Sequence, residues 1–204
     1  MDELQITAGK SHDFNRGSGQ EDVGFEHYSS SVEFHTIPKE PPTESTLPAG
    51  YNLSQLKHFD WKPRYELEKL ISPESLLKYE PVEVGRFRMP FLMRLIWPLI
   101  ILAQGMQVRD FAIRTLPEEK IVAQLGYTIP TRGKGLNTLQ IRLDPDHPAL
   151  ASFIITYLTH QAVSLRPNRR TEISVPKWMP AVVSAVEEAG FERRLEYCFM
   201  GLVL

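Results

Sequence analysis

The sequence predicts an α/β fold: a mixed, mostly antiparallel central sheet with helices on both faces. Three observations carry this. Stretches at 108–115, 120–129 and 136–143 are separated by short turns, and Ile121, Ala123, Leu125, Tyr127 and Ile129 alternate with a period of two. From Pro148 the period changes, and Leu150, Phe153, Ile154, Tyr157 and Leu158 mark one face of a helix. The chain then runs through a short strand at 171–175, a helix at 180–189 opened by Pro180 and closed before Gly190, and an apolar stretch at 197–204.

The first 50 residues carry three Lys/Arg against nine Asp/Glu and are poor in aliphatics. They end in the Pro-rich run 37–50, so composition reads 1–50 as an extended or disordered tail and linker, and 51–204 as the domain. Residues 51–59 form the first expected strand. Helices follow at 61–71 and 72–79, the second with Ser72 as N-cap and Pro73 in the first helical position. The strongly apolar stretch 90–104 reads as a helix stopped by Gly105. Pro117-Glu118-Glu119 and Thr131-Arg132-Gly133-Lys134-Gly135 read as turns, and Leu139, Ile141 and Leu143 line one face of the strand after them. Residues 197–204 are apolar on both faces, the pattern of a strand buried between layers.

Composition excludes several functions. The net charge is −2, and after residue 50 the balance is only +4, without the one-sided basic cluster of a nucleic-acid binder. Cys198 is the single cysteine, so an intrachain disulfide and a cysteine-rich zinc site are excluded. No two of the six histidines stand at i, i+4; Asp144, Asp146 and His147 suit a capping role better than a metal, so no metal is expected. The N-terminus lacks a basic stretch followed by an apolar run, and the longest apolar run, 95–103, contains Pro98 and falls short of the ~20 residues of a membrane span. The expectation is a cytoplasmic protein with no membrane span.

The element order after Tyr51, the strand exit Leu143-Asp144-Pro145 and the helix exit Ala185-Val186-Glu187-Glu188-Ala189-Gly190-Phe191 resemble the GNAT N-acetyltransferases. The resemblance implies an acyl-CoA co-substrate, acetyl-CoA or another, and a small-molecule or peptide amine acceptor. It implies a cofactor strand at Leu139, Ile141, Arg142 and Leu143, followed by a pyrophosphate site at the helix start, Ala149, Leu150 and Ala151. A helix N-terminus offers free N–H groups and a favourable dipole to anions. The family's loop there has the form Q/R-x-x-G-x-G/A, whereas this chain reads Asp144-Pro145-Asp146-His147-Pro148, without a glycine and with two carboxylates. Capping by those aspartates competes with phosphate binding. Where many family members carry a tyrosine acid in the second helix, this chain has Val186. Tyr197 and Tyr157 are the nearest substitutes, both in apolar patterns that suit core packing. Three functions therefore stand side by side: a divergent N-acyltransferase; a non-catalytic GNAT-fold domain used for docking or as the inert half of a tandem protein; and, resting only on the apolar stretch Pro90–Ala103, an interfacial membrane protein.

Val23-Gly24-Phe25-Glu26 recurs 166 positions later as Ala189-Gly190-Phe191-Glu192, with Val32 and Phe34 matched by Cys198 and Met200. Either residues 22–36 are the last hairpin of a preceding GNAT-like copy, which the domain would then contact, or the recurrence is chance.

Overall fold

The structure, a computed structural model, describes residues 24–57, 59–133 and 135–202. Strands β1 (Phe25–Thr36), β2 (Tyr51–Leu56), β3 (Met106–Thr115), β4 (Ile121–Pro130), β5 (Asn137–Leu143), β6 (Thr171–Pro176) and β7 (Glu192–Leu202) form one sheet, ordered β2-β3-β4-β5-β6-β1-β7. Every pairing is antiparallel except β5 with β6. Helices α1 (Trp61–Ile71), α2 (Glu74–Tyr79), α3 (Val84–Phe87) and α4 (Phe91–Gln104) lie between β2 and β3; α5 (Leu150–Leu165) and α6 (Pro180–Glu188) flank β6 in sequence.

Strand alternation sorts the two faces. Phe111 meets Tyr157 of α5 edge-on, ring centroids 5.5 Å apart, while its neighbour Asp110 meets Arg64 of α1 on the other side. The α5 side is the main core: the expected stripe is buried at Leu150, Ile154 and Leu158, against Leu125, Leu139 and Ile141 of the sheet and Val182 and Val186 of α6. Each such side chain contributes about 1.5–3 kcal/mol relative to remaining exposed. The other face is covered less densely by α1 to α3, and that looser packing leaves room for a cleft.

Four expectations need correction. Phe25–Thr36, assigned by composition to the segment before the domain, is extended but not a tail, since β1 lies inside the sheet between β6 and β7. Its Ser29 and Ser31 line the open side, while Val32 and Phe34 are buried on the α5–α6 side. The helix expected from Ser72 begins at Glu74 instead: the Leu76 and Leu77 amides donate to the Pro73 carbonyl, no side chain caps the end, and the Ser72 amide closes α1 on Glu68. Residues 144–148 do not cap α5, whose N-cap is Ala149 with no side-chain bond. Finally, the last strand is not sandwiched between layers. β7 is the sheet edge, and its residues are mostly exposed or half-buried.

Residues 37–50 have no regular structure beyond a turn yet are docked. Leu47 packs against the core, His160 Nδ1 donates to the Pro42 carbonyl at 2.8 Å, and the Asn168 amide donates to Pro38 at 3.0 Å. Ser31 on β1 pairs with Tyr197 on β7, and these residues stand 166 positions apart, the offset of the Gly-Phe-Glu recurrence. The two similar strands therefore pair antiparallel about a local two-fold centred on Ser31 and Tyr197.

Candidate functional site

The parallel pairing of β5 and β6 is brief. It runs from Asn137–Thr171 to Leu139–Ile173 and stops, although β5 continues to Leu143 and β6 to Pro176. Its closed end is pinned by the buried Asn137, whose amide donates to the Arg170 carbonyl at 2.8 Å and whose Nδ2 donates to Thr171 Oγ1 at 3.3 Å. Beyond Leu139 the strands are held by their other neighbours, β5 by β4 and β6 by β1. The backbone edges of 140–143 and 174–176 thus face a gap without bonding to each other. The Ile141 carbonyl there accepts from Arg142 Nη1 at 3.0 Å; edge groups without a strand partner call for another hydrogen-bonding group, such as a ligand or water.

The gap opens into a cleft of about 680 Å³ on the α1–α3 side. Its floor is sheet residues such as Gln140, Arg142 and Ser174, and its roof is drawn from α1, α2 and the segment through α3. Arg64 Nη2 bonds Asp110 Oδ2 at 2.9 Å in the buried interior, and Arg142 Nε bonds Glu68 Oε2 at 3.0 Å. Gly126 makes room for the first pair, because a Cβ there would stand 2.7 Å from Asp110 Oδ1. Gly201 does the same for the roof: the Tyr79 ring of α2 lies where its Cβ would be, at 2.2 Å.

The third cleft carboxylate, Glu80, is held differently. Tyr28 donates its hydroxyl to Glu80 Oε1 at 2.7 Å, and Arg86 lies 3.5 Å from Oε2. Tyr28 reaches the cleft side through a β-bulge: the register shifts between His27 and Ser29, and the bulge re-aims the intervening side chain. Its ring stacks on Tyr79 at 4.8 Å. Glu80 is therefore the one cleft carboxylate whose shortest contact is a neutral phenol and not an arginine.

The structure separates the residues singled out from sequence. Leu139, Ile141 and Arg142 line the cleft, and Leu143 is buried at the far end of β5. Ala149, Leu150 and Ala151 do not line it. The amides of Leu150 and Ala151 already donate to the carbonyls of His147 and Pro148, both at 3.1 Å. Asp144 is buried, with Oδ1 accepting from the Asp146 amide at 3.1 Å and Oδ2 lying 3.6 Å from Lys120 Nζ, an ion pair beyond hydrogen-bond length. The loop therefore engages its own amides but leaves the buried Asp144 Oδ2 without a hydrogen-bond partner. Tyr157 lies on the α5 face, where burial pushes its pKa up. Among the described residues no group of three metal-ligating side chains occurs. Sequence reasoning missed Tyr28 and Glu80. Tyr28 lay in the segment set aside as tail, and the Gly-Phe-Glu recurrence was the available sign that this segment is structural.

Tyr197 stands outside the cleft lining, with its hydroxyl donated to Glu33 Oε2 at 2.8 Å and Arg194 on Oε1 at 2.6 Å. The bond to Glu33, then burial, raises the Tyr197 pKa. Burial alone would push Glu33 up, but the bonds from Tyr197 and Arg194 outweigh it and hold the carboxyl below its ordinary 4.5. A depressed carboxyl stabilises the fold fully above its unfolded value and loses that contribution as pH falls through the folded value. The melting-temperature advantage of the native protein over Glu33→Gln is thus expected to be complete above about pH 4.5 and to shrink below it. A gap independent of pH would show that the carboxylate is not what matters there.

In fold, this mixed sheet with its flanking helices resembles solved structures of GNAT N-acetyltransferases. No protein-family model and no curated protein matches the chain. Solved structures do. A GCN5-related N-acetyltransferase from Sphaerobacter thermophilus matches with a TM-score of 0.57 at 13% identity, over 89% of this chain and 53% of that one. A tandem GNAT protein from the clavulanic acid biosynthesis pathway matches with a TM-score of 0.55 at 12% identity, over 97% of this chain and 61% of that one. A functionally unknown conserved protein from Staphylococcus epidermidis gives 0.54 at 6% identity, over 98% and 71%. The chain thus spans a little over half the length of the first two. At these identities the likeness is one of fold, and this chain carries it in divergent form.

Proposed function

We propose that the chain is a divergent N-acyltransferase domain that transfers an acyl group from acyl-CoA directly to an amine, the amide bond forming as the thioester C–S bond breaks and coenzyme A leaves as the thiol. The observation that carries this is the parting of β5 from β6, which leaves the backbone of 140–143 without a β6 partner beside a polar cleft. That edge fits an extended, amide-bearing arm. Residues 144–148 and the start of α5 do not fit a pyrophosphate: two of the first amides are used, and Asp144 and Asp146 place carboxylates nearby. When bound, acyl-CoA supplies an activated acyl group. The residues of this chain then position the acceptor against it and manage its proton. We assign that proton to Glu80, with Tyr28 holding the carboxylate in place and Arg86 at the rim. The pairs Arg64–Asp110 and Arg142–Glu68 hold the cleft walls.

The poor pyrophosphate fit gives an expectation. Asp146 is exposed and lends the loop its backbone amide, not its carboxylate. Asp146→Asn therefore keeps the fold and removes a like charge, and acetyl-CoA should bind more tightly, by roughly the severalfold that one screened charge contributes. Titration calorimetry checks this, and weaker binding would show the loop to be a working site of another kind. The reaction itself is tested by release of coenzyme A thiol from acetyl-CoA in the presence of a panel of amines. Amine-dependent release supports the reading; no binding and no release with any amine favours a docking domain.

The local two-fold at Ser31 and Tyr197 supports the recurrence as a true repeat, and with it the reading that a second GNAT-like copy pairs along the outer edge of β7.

A further inference from the structure

An ordinary surface helix turns its apolar side inward and a polar side to water. α4 does not. None of its residues is buried, and Met93, Trp97, Ile100 and Ile101 form its half-buried side. Its outward arc is Phe91, Leu92, Leu95, Ile96, Leu99 and Leu102, with exposures from 38% to 75%. A contiguous apolar patch of this kind marks an interaction surface.

Charge indicates what covers it. Between Glu83 and Asp110 the chain has four arginines, Arg86, Arg88, Arg94 and Arg109, and no acidic residue. Arg86 and Arg88 are exposed before the helix, and Arg132 is exposed at its end, its stem resting 3.4 Å from the position of a Cβ on Gly105. The apolar arc is thus bracketed by cations. A second copy docking through α4 would bring brackets of the same sign together in either a parallel or an antiparallel pairing, which disfavours that dimer. An anionic bilayer complements both the arc and its brackets.

Length decides between crossing and lying on the membrane. Val84–Gln104 is long and apolar enough by composition to cross, with mean hydropathy 1.3. The helix is interrupted at 88–90, however, and the 14 residues of α4 span only about 21 Å against ~30 Å of hydrocarbon.

We propose that α4 is a docking surface for an anionic lipid bilayer, lying flat in the headgroup region with Phe91, Leu95, Leu99 and Leu102 turned into the lipid. The assignment does not depend on the acyltransferase reading. Were both to hold, the cleft would open beside the membrane, since Arg86 and Phe87, just before α4, line it.

Sedimentation of the full chain with vesicles tests this. Vesicles of phosphatidylcholine with phosphatidylserine should retain the protein, and phosphatidylcholine alone should retain it far less. Leu95→Ser with Leu99→Ser, both at exposed positions, should weaken binding roughly a hundredfold. Arg88→Gln with Arg132→Gln should weaken it roughly ten- to thirtyfold and flatten its salt dependence. Circular dichroism and thermal melting check that each variant stays folded. Absence of vesicle binding overturns the proposal, as does binding that the folded leucine variant retains. Equal binding to neutral vesicles overturns the anionic assignment. A concentration-dependent dimer abolished by the leucine variant, without vesicle binding, identifies a second copy as the occupant and also overturns it.

Discussion

Phe34→Ala is expected to lower the stability of the protein by about 3–5 kcal/mol, the usual cost of truncating a buried aromatic. Phe34 is fully buried on β1, in the same cluster as Ile173, Val175 and Phe191, and the Arg193 guanidinium lies 5.9 Å from its ring centroid. Its strand is held by β6 on one side and β7 on the other, so the cavity cannot close by displacing a free end. Domains of this kind are stable by only about 5–15 kcal/mol, and so the variant would lose a large fraction of the total. Urea unfolding measures it. A change below about 1 kcal/mol, as for an exposed position, would mean that Phe25–Thr36 is the tail its composition suggests.

Glu80→Gln is expected to reduce amine-dependent thiol release by roughly 10²–10⁴-fold, the range of a positioned proton acceptor. The substitution keeps shape and still accepts a hydrogen bond from Tyr28, so the fold should stand. Tyr28→Phe removes only the group that holds the carboxylate and should cost less, roughly tenfold, from one lost hydrogen bond to a charged group. The same assay on Glu68→Gln provides the contrast: Glu68 is engaged by Arg142, and its loss should show in stability before rate. Equal rates for Glu80→Gln and the native protein would remove Glu80 from the reaction.

Elements with a strong local code could be read from sequence. α1 spans the expected 61–71; α4 stops where Gly105 takes a left-handed φ of 60°; and α5 buries the apolar stripe that its period marked. What escaped depends on distant partners. β1 is too rich in serine and charge to look like a core strand, because only one of its faces is buried and its position is fixed by β6 and β7. β7 is apolar enough for an interior strand, yet order in the sheet, which local sequence does not encode, puts it at the edge. The same limit applied to the site. The strand that parts from β6 was identified with Leu139, Ile141 and Arg142 on it, because its pattern is local. Glu80 and Tyr28 meet across 52 residues of sequence through a one-residue bulge, and no spacing rule announces such a contact.

The most direct test of the acyltransferase reading is the melting temperature of the protein with and without acetyl-CoA, beside a variant in which the gap is filled. Ser174 lines the cleft on β6 where that strand has left β5, and it is exposed, so Ser174→Trp should obstruct the gap without disturbing the core. Ligand at 100 times its dissociation constant adds about 2.7 kcal/mol, a shift of several degrees in a domain of this size. That shift is expected for the native protein, with its loss in the folded Ser174→Trp variant. No shift at millimolar acetyl-CoA, or the same shift in both proteins, would contradict it.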